Sequence, residues 1–226
     1  MTPLVLMYHS IGPTGDDPYQ VTVSPGRLAA QLALLARLGL RGCSMRELLA
    51  APGPRKVGLT FDDGYRDFAT AALPLLTAHG FTATVYALAG RLGGDNGWEE
   101  TGPRKPLLTA PELRAVAAAG MEIGSHGLLH RHLPSLSAQD LKAEMVESKA
   151  VLENRLQVPV TGFCYPYGDC GPREVEAVSA AGYSYAAAVG APPLPRQFAF
   201  PRTYAGERDT AARLAAKYVR HLVRTR

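Results

Sequence analysis

Two adjacent carboxylates, Asp62 and Asp63, stand in the stretch Thr60-Phe61-Asp62-Asp63-Gly64, directly after the apolar run Val57-Gly58-Leu59. A buried strand that ends in a turn would hold both at one rim. One member of such a pair can bind a hard or borderline cation while its neighbour, kept off the metal, takes a proton from water. Asp-Gly is also an ordinary turn signal, and the pentapeptide alone leaves both readings open. A second block changes the balance: Ser125-His126-Gly127-Leu128-Leu129-His130 follows its own apolar run, Met121-Glu122-Ile123-Gly124. Asp63, His126 and His130 together would make a three-ligand site with positions left for water, the form catalytic zinc takes. Two imidazoles and a carboxylate suit Zn2+, and Co2+ or Ni2+ fit the same donors.

The elements that must position these residues alternate. Strands are expected at Leu4 to Tyr8, at the run before Asp62, at Phe81 to Leu88, Met121 to Ser125, Val160 to Tyr165 and Tyr183 to Val189, with a short last strand from Phe198 to Phe200. Helices are expected between them. Ser24-Pro25 starts one ended by Gly39, and Ser44-Met45-Arg46-Glu47 is a capping box for a short second one. Phe68 to His79 is a helix interrupted or started late by Pro74, with His79 a structural residue at its C-terminal end. Thr109-Ala110-Pro111-Glu112 is another capping box, Ser137 caps a longer helix, and Ala177 to Ala181 ends the next at Gly182. Ala89 to Leu108 is a long Gly- and Pro-rich loop carrying Trp98, either a sugar-stacking or a packing aromatic. Pro192-Pro193 and Pro195 break the chain before the last strand.

Alternating strands and helices imply a parallel sheet, and candidate site residues follow five separate strands. An α/β barrel built this way places its site in the βα-loops, whereas an open doubly wound sheet would gather it at one switch point. The 226 residues fit one domain spanning 1–226. Hydrophobic residues make up 46% and charged residues 19%, and no apolar run approaches the roughly 18 residues of a spanning helix. No signal peptide is visible before Pro3-Leu4, which fits either retention in the cytoplasm or a trimmed secreted chain. Cys43, Cys164 and Cys170 are odd in number and lack CxxC spacing, so neither a disulfide framework nor a thiolate zinc site is indicated, and they read as small core or rim residues that pack. The net charge of +4 is modest, and Lys217, Arg220, Arg224 and Arg226 read as a solvated helix face rather than a nucleic-acid site.

In order and spacing, the Thr-Phe-Asp-Asp-Gly and Ser-His-x-x-x-His blocks resemble the polysaccharide deacetylases of the NodB-homology type, carbohydrate esterase family four. Met7-Tyr8-His9 is similar to the opening block of the branch acting on exopolysaccharide N-acetylglucosamine. Phe163-Cys164-Tyr165-Pro166-Tyr167-Gly168 and Phe200-Pro201-Arg202 extend the match, which runs from about residue 4 to about residue 205. The resemblance implies a distorted (β/α)7 TIM-like barrel and a glycan substrate containing N-acetylglucosamine, and it suggests a secreted or cell-envelope protein. It implies further that Asp62 is the base, that a metal on Asp63, His126 and His130 activates water, and that the Tyr167 backbone N–H binds an oxyanion. Two departures stand out. Cys164 occupies the position where the commoner family pattern has an arginine, so the residue orienting the base must come from elsewhere, and Arg202 after the last strand is the candidate; an ordinary ion pair is its other reading. No late Leu-x-His block is present, so the opening block makes His9 the general acid, with His221 as its rival. Histidine's ordinary pKa of about 6.5 lets a neighbouring carboxylate keep it protonated near neutrality. His132 is expected to be exposed or to support the ligand pair. The leading function is a metal-dependent N-deacetylase acting on a glycan; a metal-dependent amidase on a non-sugar amide and a glycan-binding protein without turnover are the alternatives.

Overall fold

Period-two alternation decides which side chains a closed parallel sheet turns inward, and in this chain it is strict. The computed structural model describes residues 2–190 and 193–224, so Pro192 of the expected break and Arg226 of the basic cluster lie outside the described residues. The strands are β1 (Val5–Tyr8), β2 (Ser10–Ile11), β3 (Thr22–Val23), β4 (Arg41–Cys43), β5 (Lys56–Phe61), β6 (Thr84–Ala87), β7 (Glu122–Ser125), β8 (Gly162–Cys164), β9 (Tyr185–Val189) and β10 (Phe200–Tyr204). The helices are α1 (Pro25–Arg37), α2 (Met45–Ala50), α3 (Leu73–Ala78), α4 (Ala110–Ala118), α5 (Ala138–Leu156), α6 (Pro172–Ala180) and α7 (Ala211–Arg224). β5, β6, β7, β8, β9 and β10 pair in parallel in that order, and β1 closes the ring by pairing with β10 and β5. This is the expected seven-stranded barrel. No helix among the described residues is long and apolar enough to cross a membrane.

The distortion lies at the start of β5. There β4 pairs with Lys56, Val57 and Gly58, while β6 joins only at Thr60 and Phe61. The three-residue β4 thus fills the gap between the lower parts of two ring strands, and Thr82 N–H donates to the Gly42 carbonyl at 3.3 Å. Val5, Cys43, Tyr86, Cys164, Tyr185, Ala187 and Phe200 form the interior cluster, whereas Leu6, Tyr8, Leu59, Val85, Phe163 and Ala186 pack outward against the helices. The same alternation makes Asp62 and His126 inward residues as their strands end.

Local chemistry sets the helices. Ser24, Ser137 and Thr109 accept from the third residue of their helices, and Thr109 and Glu112 close both halves of a capping box. At Ser44 only one half forms. Glu47 N–H donates to Ser44 Oγ at 3.2 Å, but the Glu47 carboxylate turns to Arg41 and Thr82, so the expected box is incomplete. Phe68–Ala72 winds as a π-helical turn before α3, which accommodates Pro74 in the first turn. The last strand runs through Pro201 and Arg202 instead of stopping at Phe200, because β9 and then β1 supply partners on its two sides. Arg202 is therefore a strand residue, and inward.

Two interior positions are glycines for a steric reason. A Cβ at Gly124 would lie 2.5 Å from the Tyr86 ring, and one at Gly162 would collide with the Tyr185 hydroxyl. Gly162→Ala is expected to lower stability by about 1–3 kcal/mol through this overpacking. Urea unfolding measures it, and an unchanged midpoint would show that the barrel interior has room the packing denies.

Candidate active site

The turn after β5 and the turn after β7 bring three donor atoms together. Asp63 Oδ1 lies 3.3 Å from His126 Nε2 and 3.3 Å from His130 Nε2, with all three side chains buried. His126 Nδ1 is 2.8 Å from the Cys164 carbonyl oxygen; donation there leaves the Nε2 lone pair facing the carboxylate. Asp63 Oδ1 has no hydrogen-bond partner despite its burial, which is costly unless something else satisfies it. Ligands about 2.0–2.1 Å from a tetrahedral zinc stand about 3.3 Å apart, so the spacing fits a shared divalent cation. Burial lowers the His130 pKa towards the neutral imidazole a metal needs; at His126 burial acts the same way, but Cys164 and Asp63 outweigh it and raise the pKa, so a cation would displace a proton there. Although burial opposes charge on Asp63, the two imidazoles hold its pKa well below the ordinary carboxylate range.

Asp62, one residue earlier, is held apart from this cage. Arg202 grips it with two bonds, Nη1 to Oδ1 at 2.6 Å and Nη2 to Oδ2 at 2.8 Å, and both side chains are buried. Burial favours the protonated acid, but the guanidinium outweighs it and lowers the Asp62 pKa. Cys164 fits under this pair, its Sγ 3.0 Å from Arg202 Nη2 and 3.6 Å from Asp62 Oδ2. Burial raises the pKa of this thiol, so it stays protonated and compact. His9 approaches from the end of β1, its Nε2 3.9 Å from Asp62 Oδ2, while its Nδ1 is buried without a partner.

All of these except Cys164 line a cleft of about 390 Å³. Trp98 stacks on the His130 ring at 4.7 Å between centroids, and Tyr167, 55% exposed, meets the same imidazole edge-on at 4.6 Å. Of five non-glycine residues with positive φ among the described ones, Asp63 (68°), His130 (61°) and Tyr167 (62°) border the cleft. Backbone strain of this kind concentrates where geometry is imposed for function. His132 is exposed and 3.3 Å from Asp169. His79 closes α3 against Phe81, as a structural residue would. His221 is elsewhere: on α7, it contacts the Thr2 carbonyl at 2.7 Å, before β1, whereas His9 follows that strand. Cys164 is the site residue that sequence reasoning passed over as packing; its substitution for the family arginine was the available signal.

A family model described as "Polysaccharide deacetylase" matches residues 50–186. YxkH of Bacillus subtilis, whose name places it provisionally among polysaccharide deacetylases, is 28% identical over 185 residues, 79% of this chain. The match takes in 61% of YxkH, so this chain spans about three fifths of the length of the curated relative. Among solved structures, the Streptococcus pyogenes deacetylase PplD in complex with acetate aligns with a TM-score of 0.80 at 22% identity, covering 96% of this chain and 97% of that one. IcaB from Ammonifex degensii aligns with a TM-score of 0.80 at 23% identity, covering 95% and 96%. At these identities the two structures speak for the fold.

The ion pair makes stability depend on pH. Its depressed folded-state pKa means that the pair's contribution is fully present above the ordinary carboxylate value of about 3.9 and is lost as pH falls through the lower one. In the metal-free protein, the stability gap between wild type and Asp62→Asn should therefore narrow below about pH 4. Urea unfolding across pH measures the gap, and a constant one would show that Asp62 gains nothing from its charge.

Proposed function

The chain belongs to the polysaccharide deacetylase family, and on that premise we propose that it hydrolyses the N-acetyl groups of N-acetylglucosamine-type residues in a glycan, with a divalent metal held by Asp63, His126 and His130. The observation that carries this reading is the split between neighbouring carboxylates. Asp63 faces two imidazole nitrogens at 3.3 Å with no hydrogen bond, and Asp62 is turned onto Arg202. One is shaped to be a ligand, the other to stay a base.

Amide hydrolysis needs an activated water, stabilisation of a tetrahedral oxyanion and a proton for the departing amine. The cation would supply Lewis acidity, lowering the pKa of water and polarising the acetyl carbonyl, and zinc suits the donors best. Asp62 takes the proton from water. Its pairing with Arg202 keeps it ionised and fixes both oxygens, so no conformational search precedes proton transfer. The Tyr167 backbone N–H, on the strained turn after β8, is the oxyanion donor. His9, close to Asp62 yet partly open to the cleft, protonates the leaving amine of the sugar.

Glycan as substrate class rests on the family and on the cleft, which is open and lined by the aromatic side chains Trp98 and Tyr167. The Met7-Tyr8-His9 block favours exopolysaccharide N-acetylglucosamine within that class. Acetate release from N-acetylglucosamine oligomers, compared with an acetylated non-sugar amide, tests the activity and its substrate together. The oligomers are expected to react and the plain amide not; release from the amide alone would point to a general amidase, and release from neither to a binding protein. Asp62→Asn should lose turnover by at least the factor of about 10² to 10⁴ that a proton-transfer group contributes.

The acid is assigned by a second comparison. His9→Ala should slow acetate release by about 10²- to 10⁴-fold, and His221→Ala should leave the rate near native. A reversed result would move the proton donor to α7.

A further inference from the structure

Arg202 uses all five of its N–H donors in its own plane. Nε donates to the Ala188 carbonyl at 3.3 Å, Nη1 to Thr60 Oγ1 at 3.1 Å and Asp62 Oδ1 at 2.6 Å, and Nη2 to Asp62 Oδ2 at 2.8 Å and Cys164 Sγ at 3.0 Å. The edges of the guanidinium are thereby fixed, but in-plane bonds resist tilting poorly. Tyr86, on β6, adds a contact from outside this set: Arg202 Cζ lies over its ring, 5.7 Å from the centroid and within cation–π range.

The ring is itself held. Tyr86 donates from its hydroxyl to Tyr185 Oη at 3.3 Å, and Tyr185 donates to Glu122 Oε1 at 3.0 Å. Glu122 is anchored in turn by Thr84 Oγ1 at 2.6 Å and the Arg46 N–H at 2.8 Å, so the chain of contacts ends on the first turn of α2. Gly124 leaves the volume that Tyr86 fills, since a Cβ there would lie 2.5 Å from the ring. None of these residues reaches the cleft.

We propose that Tyr86 is a positioning residue for the deacetylation: its ring face, fixed through Tyr185 and Glu122, sets the plane of the Arg202 guanidinium and through it the direction in which Asp62 presents its oxygens. This rests on the reading of Asp62 as base. A tilt of the guanidinium swings the bidentate carboxylate with it, and small misplacements of a reacting group are costly in rate.

A double-mutant cycle on acetate release from N-acetylglucosamine oligomers tests this, with metal content and unfolding midpoint measured for each variant. Tyr86→Phe keeps the ring face but drops the bond to Tyr185, so its kcat should fall between the native value and that of Tyr86→Leu. Tyr86→Leu should lower kcat by about tenfold or more, with KM unchanged and metal retained. If Tyr86→Leu does not fold, Tyr86→Met carries the same expectation. In the Arg202→Lys background, where an ammonium has no plane to orient, the same Tyr86 substitution should cost little more. An equal penalty in both backgrounds, or a Tyr86→Phe as slow as Tyr86→Leu, would make Tyr86 ordinary packing and overturn the proposal alone. Asp62→Asn, run in parallel, separates the failures: near-native turnover there would remove the base assignment and the proposal with it.

Discussion

The ion pair between Asp62 and Arg202 takes two full charges out of water at the mouth of the barrel. Such burial costs several kcal/mol per ion and is offset only when geometry is good and every remaining donor is engaged. That condition explains much of the surrounding architecture. Arg202 has to point inward from the last ring strand, which requires β10 to continue past Phe200 and pair with both β9 and β1. Thr60 must accept one guanidinium N–H, and its own O–H donates to the Leu6 carbonyl at 3.0 Å. The position after Phe163 must be small, and a neutral cysteine serves there. Removing either charged partner would strand the other, so the pair ties β5 and β10, the strands on either side of β1, into one electrostatic unit.

The same pair gives two adjacent carboxylates different partners. Both are buried and both are held below the ordinary carboxylate pKa, but by different neighbours: Arg202 for Asp62, two imidazoles for Asp63. Asp63 reaches its cage only from a left-handed backbone, φ 68°, which turns its side chain away from its neighbour's direction. His130 is likewise left-handed, and Trp98 stacked on its ring restricts rotation. Strain at these residues is tolerated because the barrel beneath them is densely packed, from Tyr86 and Tyr185 down to the first turn of α2.

Much of this was legible in the chain itself. The apolar runs before Asp62 and His126 mark ring strands, and the helix starts at Ser24, Thr109 and Ser137 carry cap chemistry that acts locally. The three ligand candidates follow from residue type and position and do converge. What was not legible depends on partners distant in sequence. β4 is three residues long and exists because a gap between β5 and β6 needs filling, a requirement no local pattern announces. Proline at 201 reads as a strand stop, yet the two neighbours of β10 override it. Glu47 looked committed to a capping box, but Arg41 and Thr82 offered its carboxylate better partners. Cys164 appeared to be packing because its role, making room for an arginine from another strand, is defined only once the ring closes.

We propose that Asp63, His126 and His130 hold a divalent cation while Asp62, one residue away, does not. Metal analysis of purified protein addresses it directly, comparing wild type with His126→Ala, His130→Ala and Asp62→Asn after equal exposure to zinc. One bound ion per chain is expected in wild type and in Asp62→Asn, and none in either histidine variant. Stoichiometric zinc in the histidine variants, or its disappearance from Asp62→Asn, would contradict the assignment.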